Sequence, residues 1–341
     1  MSDLEIKRSR RNSGAITLHD VARLAGVSPI TASRAINKPE QVSSELLKRV
    51  EDAVARTGYV PNRMAGGLAS SRSKLIAAVV PSTVISVFNE TIESLNNTLF
   101  DAGYQLMLGQ STYSSEREEL LLNSIIGRRP DGIFLTGIMQ PGKGRVRLIA
   151  SGIPVVETWD LTPTPIDMLI GFSHTDIGFA VAKYLINKDK KRFAVIRAED
   201  ERADRRTVAF TKAILEANLP APYVINVGAQ RSIKSGREAM AKILSMTPLS
   251  DAVFCSSDLL AFGAITEARA NKIEVPNQIA VMGFGDVPFV ADMLPALTTV
   301  RINGDKIGEL AAHYLMDRAE GKIIAAPIVN VGFSIIERDT V

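Results

Sequence analysis

Apolar residues recur at helical spacing in two short stretches near the start of the chain. In the first stretch they share one face of a helix predicted to begin at about residue 18, and they are Leu18, Val21, Ala22, Leu24 and Ala25. In the second stretch Ala32 and Ile36 lie four residues apart and would face the first helix. Two short helices this close in sequence predict a helix-turn-helix.

Residues at the expected ends of the two helices also favour a helix-turn-helix. Thr17 and Asp20 have the spacing of a capping box, which would start the first helix. Gly26 can adopt the left-handed conformation that ends a helix, Ser28 can cap the next helix, and Pro29 suits its first turn. The outward side of the second helix would then carry Pro29, Ile30, Thr31, Ser33 and Arg34. These are candidates for contacts with DNA bases, although a plain helical hairpin would show the same pattern.

Charge is distributed unevenly along the chain. Residues 1–74 contain 13 Lys and Arg against 7 Asp and Glu, a net charge of +6, whereas residues 75–341 contain 27 against 30, a net charge of −3. This asymmetry favours a polyanion as the partner of the N-terminal part alone. Arg34 would suit a guanine, and the apolar groups near it would suit thymine methyls. Residues 1–15 are predicted to be a basic flexible arm, either a solvated tail or a contact to phosphates.

A third helix completes a predicted headpiece over residues 16–60. Its apolar stripe comprises Leu46, Leu47, Val50, Ala53 and Val54. The next segment, residues 61–74, could form a short helix, but Gly66 and Gly67 would each cost about 1 kcal/mol relative to alanine. Taken alone, this segment is predicted to be an unfolded linker.

From residue 75 onward, apolar runs alternate with helical stretches. The apolar runs, typical of parallel strands covered on both faces, lie at residues 75–81, 104–108, 132–136, 154–157, 193–197, 223–227, 252–255 and 279–284. Helices are predicted between most of them, at residues 88–102, 114–128, 174–187, 205–217, 232–246 and 258–271. A further strand-like run covers residues 328–336. This alternation predicts two doubly wound α/β units.

Composition excludes several classes of protein. No apolar stretch approaches the roughly 20 residues of a membrane span, and the N-terminus is charged, so we expect a cytoplasmic protein. The single cysteine, Cys255, excludes an internal disulfide. The three histidines, His19, His174 and His313, have no ligand spacing, so we expect neither a metal nor another cofactor.

One segment resembles an enzyme motif. Residues 137–144 have the glycine and lysine spacing of a phosphate-binding loop, directly after a predicted strand. However, Gly144 stands where such loops carry Ser or Thr, and Pro141 removes an amide donor. A strand-to-helix loop is the favoured interpretation, and no catalytic Ser-His-Asp or Cys-His set can be assembled. We expect no enzyme, and a nucleotide-using enzyme or a sugar-binding protein on the same fold is a distant alternative.

The N-terminal motifs resemble those of the lac repressor (LacI/GalR) family. The resemblance rests on Thr17-Leu18-x-Asp20-Val21-Ala22-x-x-Ala25-Gly26-Val27-Ser28, on Ser33-Arg34-x-x-Asn37, and on Gly58-Tyr59-Val60-Pro61-Asn62 with Ala65 and Leu68. It implies an all-α helix-turn-helix headpiece with a hinge at residues 61–74. A bilobed α/β sensor domain, similar to a periplasmic binding protein, would follow over residues 75–341.

The resemblance also implies partners and DNA contacts. The partners are a palindromic double-stranded operator and a second copy of the chain, because one small headpiece covers too few bases. In that family the hinge folds on the operator and a leucine, here Leu68, wedges into the minor groove. The implied DNA-binding residues are Thr17, Ser28, Pro29, Ile30, Thr31, Ser33, Arg34, Asn37, Tyr59, Asn62, Ala65 and Leu68.

Within the sensor domain, the resemblance implies two places where the chain crosses between lobes, near residues 160–164 and 288–298. Prolines in both segments suit linkers that bend without becoming strands. The family's effector-binding arginine falls on Arg206, four residues before Phe210, and two of its carboxylates fall on Asp160 and Asp258. Each of these three could equally be a loop ion pair or a helix cap.

Further segments resemble gluconate-utilisation repressors, among them Val87-Phe88 and Asp200-Glu201-Arg202. A cluster of Arg202, Arg205 and Arg206 would suit an anionic sugar acid, because a buried charge must be paired. The predicted effector-binding residues are Ser82, Phe88, Asp160, Arg202, Arg206, Asp258 and Asp286. Gluconate or a ketogluconate is the expected effector of this repressor, and a neutral sugar or another small molecule is the alternative.

Overall fold

The computed structural model describes residues 16–60, 72–81, 87–112, 115–228 and 231–341. The chain divides into two compact units, residues 1–73 and 74–341. The predicted arm at residues 1–15 and the predicted hinge residues Asn62, Ala65 and Leu68 lie outside the described residues, as does Ser82.

The described part of the first unit is helical. Its helices are α1 (Leu18–Ala25), α2 (Pro29–Asn37) and α3 (Ser44–Thr57), with a 3-10 turn at Pro39–Gln41. The capping box is present, since the backbone N–H of Thr17 donates to the Asp20 carboxylate over 3.0 Å. Gly26 ends α1 with a φ of 64°, and Ser28 accepts from the backbone N–H of Thr31 over 3.1 Å to start α2. Local sequence signals therefore set all three of these boundaries.

Small apolar side chains form the core of the headpiece, namely Val21, Ala25, Ala35, Val50 and Ala53. Ala32 is buried as predicted, whereas Ile36 is only half-buried at the edge of this core. Arg49 on α3 donates from Nη2 to the carbonyl oxygens of Ala25 over 2.7 Å and Gly26 over 3.1 Å. The arginine thus satisfies carbonyls at the end of α1 and holds α3 against the turn.

The second unit alternates strands and helices. Its strands are β1 (Leu75–Val80), β2 (Gln105–Gln110), β3 (Gly132–Thr136), β4 (Val155–Thr158), β5 (Met168–Gly171), β6 (Phe193–Arg197), β7 (Tyr223–Asn226), β8 (Ala252–Cys255), β9 (Ala280–Gly285), β10 (Thr298–Arg301), β11 (Ile328–Asn330) and β12 (Ser334–Ile336). Its helices are α4 (Asn89–Asp101), α5 (Ser115–Ile126), α6 (Lys143–Ser151), α7 (His174–Asn187), α8 (Glu201–Glu216), α9 (Ile233–Leu244), α10 (Asp258–Ala270) and α11 (Gly304–Ala319).

The described strands form two six-stranded sheets. The first has the order β11-β5-β4-β3-β1-β2 and the second has the order β12-β10-β9-β8-β6-β7. Neighbouring strands are parallel except for the antiparallel pair of β10 and β12. We call the halves built on these sheets the first lobe and the second lobe. The predicted pair of doubly wound α/β units is confirmed.

The places where the chain crosses between lobes differ from the prediction. Residues 160–164 lie in the loop between β4 and β5, which are neighbours in the first sheet. Residues 288–298 lie between β9 and β10, which are neighbours in the second sheet. Both predicted crossings are therefore wrong. Proline indicates a loop, but a loop can lead back to the same sheet or on to the other one, so the prolines did not distinguish the two cases.

The observed crossings follow from sheet membership. The chain passes from β5 to α7 at residues 172–173, and from β10 to α11 at residues 302–303. A third crossing, at residues 331–333, splits the strand-like run near residue 330 between the two sheets, since β11 pairs with β5 and β12 pairs with β10. Apolar strands of either sheet have the same composition, so their sequence does not show which sheet they join.

The structure contains four elements that the sequence did not predict, and one helix begins earlier than predicted. The four elements are β5, α6, β10 and α11. Helix α8 begins at Glu201 rather than at residue 205, because the carboxylate of Asp200 accepts from the backbone N–H groups of Arg202 and Ala203, both over 3.0 Å. No helix within the described ranges is long and apolar enough to cross a membrane.

Candidate DNA-binding surface and ligand cleft

The outer side of α2 carries the predicted base-contacting residues. Ile30 is 71% exposed there. Of the other predicted positions in the headpiece, the exposed ones are Ser28, Arg34 and Asn37, and the half-buried ones are Thr17, Pro29, Thr31, Ser33 and Tyr59. Asn37 donates from Nδ2 to the carbonyl oxygen of Ser33 over 2.9 Å, so its amide faces its own helix here. An exposed apolar side chain next to an exposed arginine is the combination that base edges in a major groove can bind.

Arg206 is buried, with 4% of its surface exposed, near the place where α8 of the second lobe contacts the first lobe through Arg205–Asp160 and Arg202–Phe88. We call this place the cleft. Arg206 projects from α8 and donates from Nη1 to Nδ1 of His174 over 2.8 Å and from Nη2 to the carbonyl oxygen of Ser256 over 3.3 Å. Its guanidinium carbon lies 4.0 Å from the centroid of the Phe284 ring. Its Nε is buried and has no hydrogen-bond partner among the described residues. A donor is therefore left over on a fully buried cation.

The charge of Arg206 is not neutralised by a direct ion pair with a carboxylate of the described residues. Burial is the main reason why its pKa is lowered to about 9, and the neighbouring guanidiniums of Arg202 and Arg231 lower it further, while Asp200 and Asp160 act in the opposite direction. A buried charge without a partner is costly, so this position favours an anion from outside the chain.

The other arginines of the cleft have carboxylate partners. Arg205 forms an ion pair with Asp160, which links α8 of the second lobe to the β4–β5 loop of the first. Arg231 forms an ion pair with Asp200. Burial would raise the pKa of Asp200, but Arg231 and the other nearby guanidiniums outweigh it and hold that pKa below its usual value.

Arg202 places the remaining positive charge against the first lobe. Its Nε lies 3.9 Å from the Asp200 carboxylate, and its guanidinium carbon lies 5.5 Å from the centroid of the Phe88 ring. Burial raises the pKa of Glu118 on α5, and the charge of Arg202 partly offsets that rise. The predicted residues Phe88, Asp160, Arg202 and Arg206 are thus brought together at the cleft.

Asp258 is held inside the second lobe. Its carboxylate accepts from the Thr299 hydroxyl over 2.6 Å and from the backbone N–H of Val287 over 2.9 Å. Burial raises its pKa to about 6, although these two hydrogen bonds favour the charged form. Asp258 fixes the chain just after β9, and its role towards an effector stays a prediction.

Asp286 also has partners within the protein. Its carboxylate forms ion pairs with Arg301 over 3.1 Å and with Arg338 over 2.7 Å. Arg301 in turn contacts Glu90 of the first lobe over 2.9 Å. Asp286 therefore belongs to a charge network at the second crossing, apart from the cluster around Arg206, and a contact to an effector stays a prediction.

His174 and Trp159 were not among the predicted effector-binding residues. Both lie in the cleft, with 3% and 2% of their surface exposed. The Trp159 ring contacts Phe88 and Phe172 edge-on, with centroid distances of 4.8 and 5.6 Å. The signal available in the sequence was position: the tryptophan directly follows a strand, at the sheet edge where ligands of α/β proteins bind.

The segment with the spacing of a phosphate-binding loop is an ordinary connection between β3 and α6. Glu157 accepts from the backbone N–H of Met139 in this segment over 2.7 Å and from that of Ile166 over 2.7 Å. A buried carboxylate thus holds an amide that a phosphate would need. In the part of the chain that the structure describes, no group of His, Cys, Asp and Glu side chains could hold a metal ion.

The DNA-binding surface and the ligand cleft both fall in regions that match known protein families. Residues 17–62 match the family model of bacterial regulatory proteins of the lacI family, and residues 182–341 match that of the periplasmic binding protein-like domain. The HTH-type transcriptional regulator GntR of Pseudomonas aeruginosa is 36% identical over 342 residues, covering 100% of both chains. The chain belongs to the LacI family.

Other LacI-family proteins are similar over nearly the same length. The HTH-type transcriptional repressor PurR of Erwinia tasmaniensis is 31% identical over 95% of this chain and 96% of its own. The crystal structure of a LacI-family regulator from Silicibacter pomeroyi matches with a TM-score of 0.89 and 30% identity, over 95% of this chain and 99% of that one. The protein is therefore a DNA-binding transcriptional regulator with a small-molecule sensor domain, and it is not an enzyme.

Proposed function

We propose that this LacI-family regulator is a repressor that binds a palindromic operator as a homodimer, and that a sugar acid in the cleft controls this binding. Gluconate or a ketogluconate is the proposed effector. The observation that carries the proposal is the buried Arg206 guanidinium, whose Nε has no hydrogen-bond partner and which forms no ion pair with a carboxylate of the described residues.

The chemistry of the cleft suits a monoanion with an apolar face. A carboxylate can accept in a fork from the free donors of a guanidinium and neutralise its charge. Arg205 and Arg231 pair with Asp160 and Asp200, and Arg202 lies 3.9 Å from the same Asp200 carboxylate, so Arg206 is the arginine of this cluster without an ion pair among the described residues. The Phe88 ring lies beside this cluster, 5.5 Å from the guanidinium carbon of Arg202, and aromatic rings pack well against the C–H groups of a polyol chain.

Similarity gives support of a coarser kind. Segments of the cleft resemble gluconate-utilisation repressors, and the relative named GntR is 36% identical over the full length. PurR is 31% identical over a similar span, so identity alone favours no single effector. A neutral sugar or another small molecule is the alternative.

Calorimetry of the full-length protein tests the effector. Gluconate and 2-ketogluconate should bind, and glucose should bind much more weakly, because only the acids neutralise Arg206. Arg206→Met should weaken gluconate binding by at least about thirtyfold, since a charge-assisted hydrogen bond pair is lost. Arg318→Met, which removes a surface ion pair to Asp167, is the control and should bind gluconate normally. Tight binding of glucose with no binding of the acids would reject the sugar-acid effector.

Selection from random duplex DNA tests the operator. The full-length protein should enrich palindromes with two half-sites, and their affinity should fall steeply as salt rises, since phosphate contacts release counterions. Gluconate should change the affinity for the selected duplex. Enrichment of a single half-site, or an affinity that is flat in salt, would contradict the proposal that the headpieces bind as a pair.

A further inference from the structure

A chain of hydrogen bonds starts at Arg206 and runs across the cleft. Arg206 donates from Nη1 to Nδ1 of His174 over 2.8 Å. His174 donates from Nε2 to the carbonyl oxygen of Trp159 over 3.0 Å. The indole Nε1–H of Trp159 donates to the hydroxyl oxygen of Thr91 over 3.2 Å. Three consecutive hydrogen bonds therefore join the cleft arginine to helix α4.

The chain passes from one lobe to the other. Arg206 and His174 lie on α8 and at the start of α7, which belong to the second lobe, whereas Trp159 and Thr91 belong to the first. His174 directly follows the first crossing, at residues 172–173. The link between the lobes thus runs through the interior, beside the connecting backbone.

All four members are buried. Their exposed fractions are 4% for Arg206, 3% for His174, 2% for Trp159 and 0% for Thr91. In such an interior each hydrogen bond is strong, and a donor that loses its acceptor has no water to replace it. A displacement of Arg206 therefore breaks a buried hydrogen bond, at a cost in free energy, unless His174 and the residues after it shift as well.

The chemistry of the members fixes the direction of each bond. A guanidinium can only donate, so Nδ1 of His174 must be the acceptor and Nε2 must carry the proton. Burial, and then the charge of Arg206, lower the pKa of His174, so that the imidazole stays neutral. One tautomer satisfies both of its neighbours.

The backbone at Trp159 is held in an unusual conformation. Its φ is 64°, in the left-handed region that bulky residues rarely adopt. Gly171 lies against the next residue so closely that a Cβ there would overlap the carbonyl oxygen of Asp160. Strain of this kind persists only where the surroundings enforce it, and it concentrates at ligand sites and switches.

The far end of the chain lies next to the second crossing. Thr91 is in the first turn of α4, one residue after Glu90. Glu90 accepts from Arg301 over 2.9 Å and from the backbone N–H of Gly304 over 3.1 Å, at the place where the backbone leaves β10 for α11. The first turn of α4 therefore contacts both the hydrogen-bond chain and the second crossing.

We propose that His174 is a positioning residue for Arg206 and that the chain Arg206–His174–Trp159–Thr91 couples effector binding to α4 of the first lobe. This inference rests on the proposed function, because the effector anion is taken to pair with Arg206. An anion that draws the guanidinium towards itself weakens the bond to Nδ1, and the neutral imidazole, Trp159 and α4 adjust in turn. Two lobe arrangements then differ in their affinity for the effector, as a population shift requires.

Trp159 reports on this chain directly, since it is the single tryptophan of the sequence. Thr91→Val removes the acceptor of the indole N–H while keeping the shape of the side chain. In the full-length protein without effector this substitution should shift the Trp159 emission. Thr98→Val on the same helix is the matched control, because the Thr98 hydroxyl donates to the Ser94 carbonyl oxygen of its own helix over 2.9 Å and not to Trp159. It should leave the emission unchanged.

Coupling is measured as the ratio of operator affinities without and with gluconate. Thr91→Val should reduce this ratio by at least about fivefold while the calorimetric affinity for gluconate changes by less than about threefold. A purely structural role of Thr91 would lower the thermal midpoint and leave the ratio intact. An unchanged emission together with an unchanged ratio overturns the proposal.

Two substitutions of His174 separate its two bonds. His174→Asn keeps an acceptor near Nδ1 and loses the donor to Trp159, so gluconate should still bind but coupling should be lost. His174→Gln keeps a donor near Nε2 and loses the acceptor, so gluconate affinity should fall by about tenfold. If both variants keep wild-type affinity and coupling, His174 positions nothing and the inference is wrong.

The same measurements distinguish the two proposals. Failure of the wild-type protein to bind gluconate or 2-ketogluconate rejects the sugar-acid effector, and with it the coupling of such an effector to α4. Normal binding by the wild type, combined with wild-type coupling in Thr91→Val and His174→Asn, rejects the hydrogen-bond chain alone.

Discussion

The guanidinium of Arg206 stacks on the ring of Phe284, with its central carbon 4.0 Å from the ring centroid. Arg206 projects from α8, and Phe284 lies near the end of β9 in the same lobe. The ring covers one face of the cation and leaves its edges for the hydrogen bonds to His174 and to Ser256. Phe284 thereby orients the arginine that we propose for the effector anion.

Phe284→Leu should weaken gluconate binding without abolishing it. The substitution removes a buried cation–π contact, which corresponds to roughly a three- to thirtyfold loss of affinity. Calorimetry with the full-length protein measures it. Phe289→Leu is the matched control, since Phe289 packs edge-on against Phe262 at 5.9 Å elsewhere in the same lobe. Equal losses in both variants would mean that the effect is one of packing and not of contact with Arg206.

Gly171→Ala should displace the backbone at Trp159 and Asp160. A Cβ at residue 171 has no room beside the Asp160 carbonyl oxygen. We expect the thermal midpoint to fall by more than about 5 °C and the Trp159 emission to move to longer wavelength. Gly152→Ala is a stringent control: its φ of 65° is itself unfavourable for alanine, a strain that Gly171 does not share, but none of the described residues lies within 4 Å of the added Cβ. A larger loss at residue 152 would contradict the close contact at residue 171.

Asp258→Asn should change how stability depends on pH. The pKa of Asp258 is raised to about 6 in the folded protein, above the roughly 3.9 of an unfolded chain. The folded state therefore binds this proton more tightly, and the stability that it adds at low pH is lost as the pH rises from about 4 through about 6. The asparagine side chain does not titrate in this pH range, so this contribution is absent from the variant.

We therefore compare the free energies of unfolding of the wild type and of Asp258→Asn. The wild-type value minus the variant value should decrease by at most roughly 3 kcal/mol as the pH rises from about 4 to about 7. Urea unfolding followed by Trp159 fluorescence measures this difference in the sensor unit, where Trp159 lies. Any contribution of His174 to the pH dependence is the same in both proteins and cancels in the difference. A difference that does not vary with pH would show that the Asp258 carboxyl stays charged throughout.

Arg34 and Arg49 should affect DNA binding in different ways. Arg34 is exposed on α2, so Arg34→Met should relax preference at one base pair of each selected half-site by about tenfold. Arg49 instead supports the turn through the carbonyl oxygens of Ala25 and Gly26. Arg49→Met should weaken binding to every sequence by a similar factor. Competition among duplexes with single base-pair changes separates the two results, and a uniform loss in Arg34→Met would remove it from the base-contacting set.

The sequence alone determined the features that depend on neighbours in the chain. The capping box at Thr17, the left-handed Gly26 and the Ser28 cap are local, and the structure shows each of them. Apolar runs of the kind that forms β1 or β8 are local as well, so their alternation with helices was enough to predict two α/β units. The family motifs also lie within short segments.

Only the tertiary structure decided which segments meet. The lobe crossings depend on which sheet a strand joins, and strands such as β11 and β12 have similar apolar sequences but pair in different sheets. The partners within the cleft are far apart along the chain, as with Arg206 and His174 or Trp159 and Thr91. The sequence showed that Arg202, Arg205 and Arg206 lie close together along the chain. The burial of Arg206, and the pairing of Arg205 with Asp160 and of Arg231 with Asp200, arise because folding brings carboxylates that are distant in sequence to those two guanidiniums, whereas no carboxylate of the described residues forms an ion pair with Arg206.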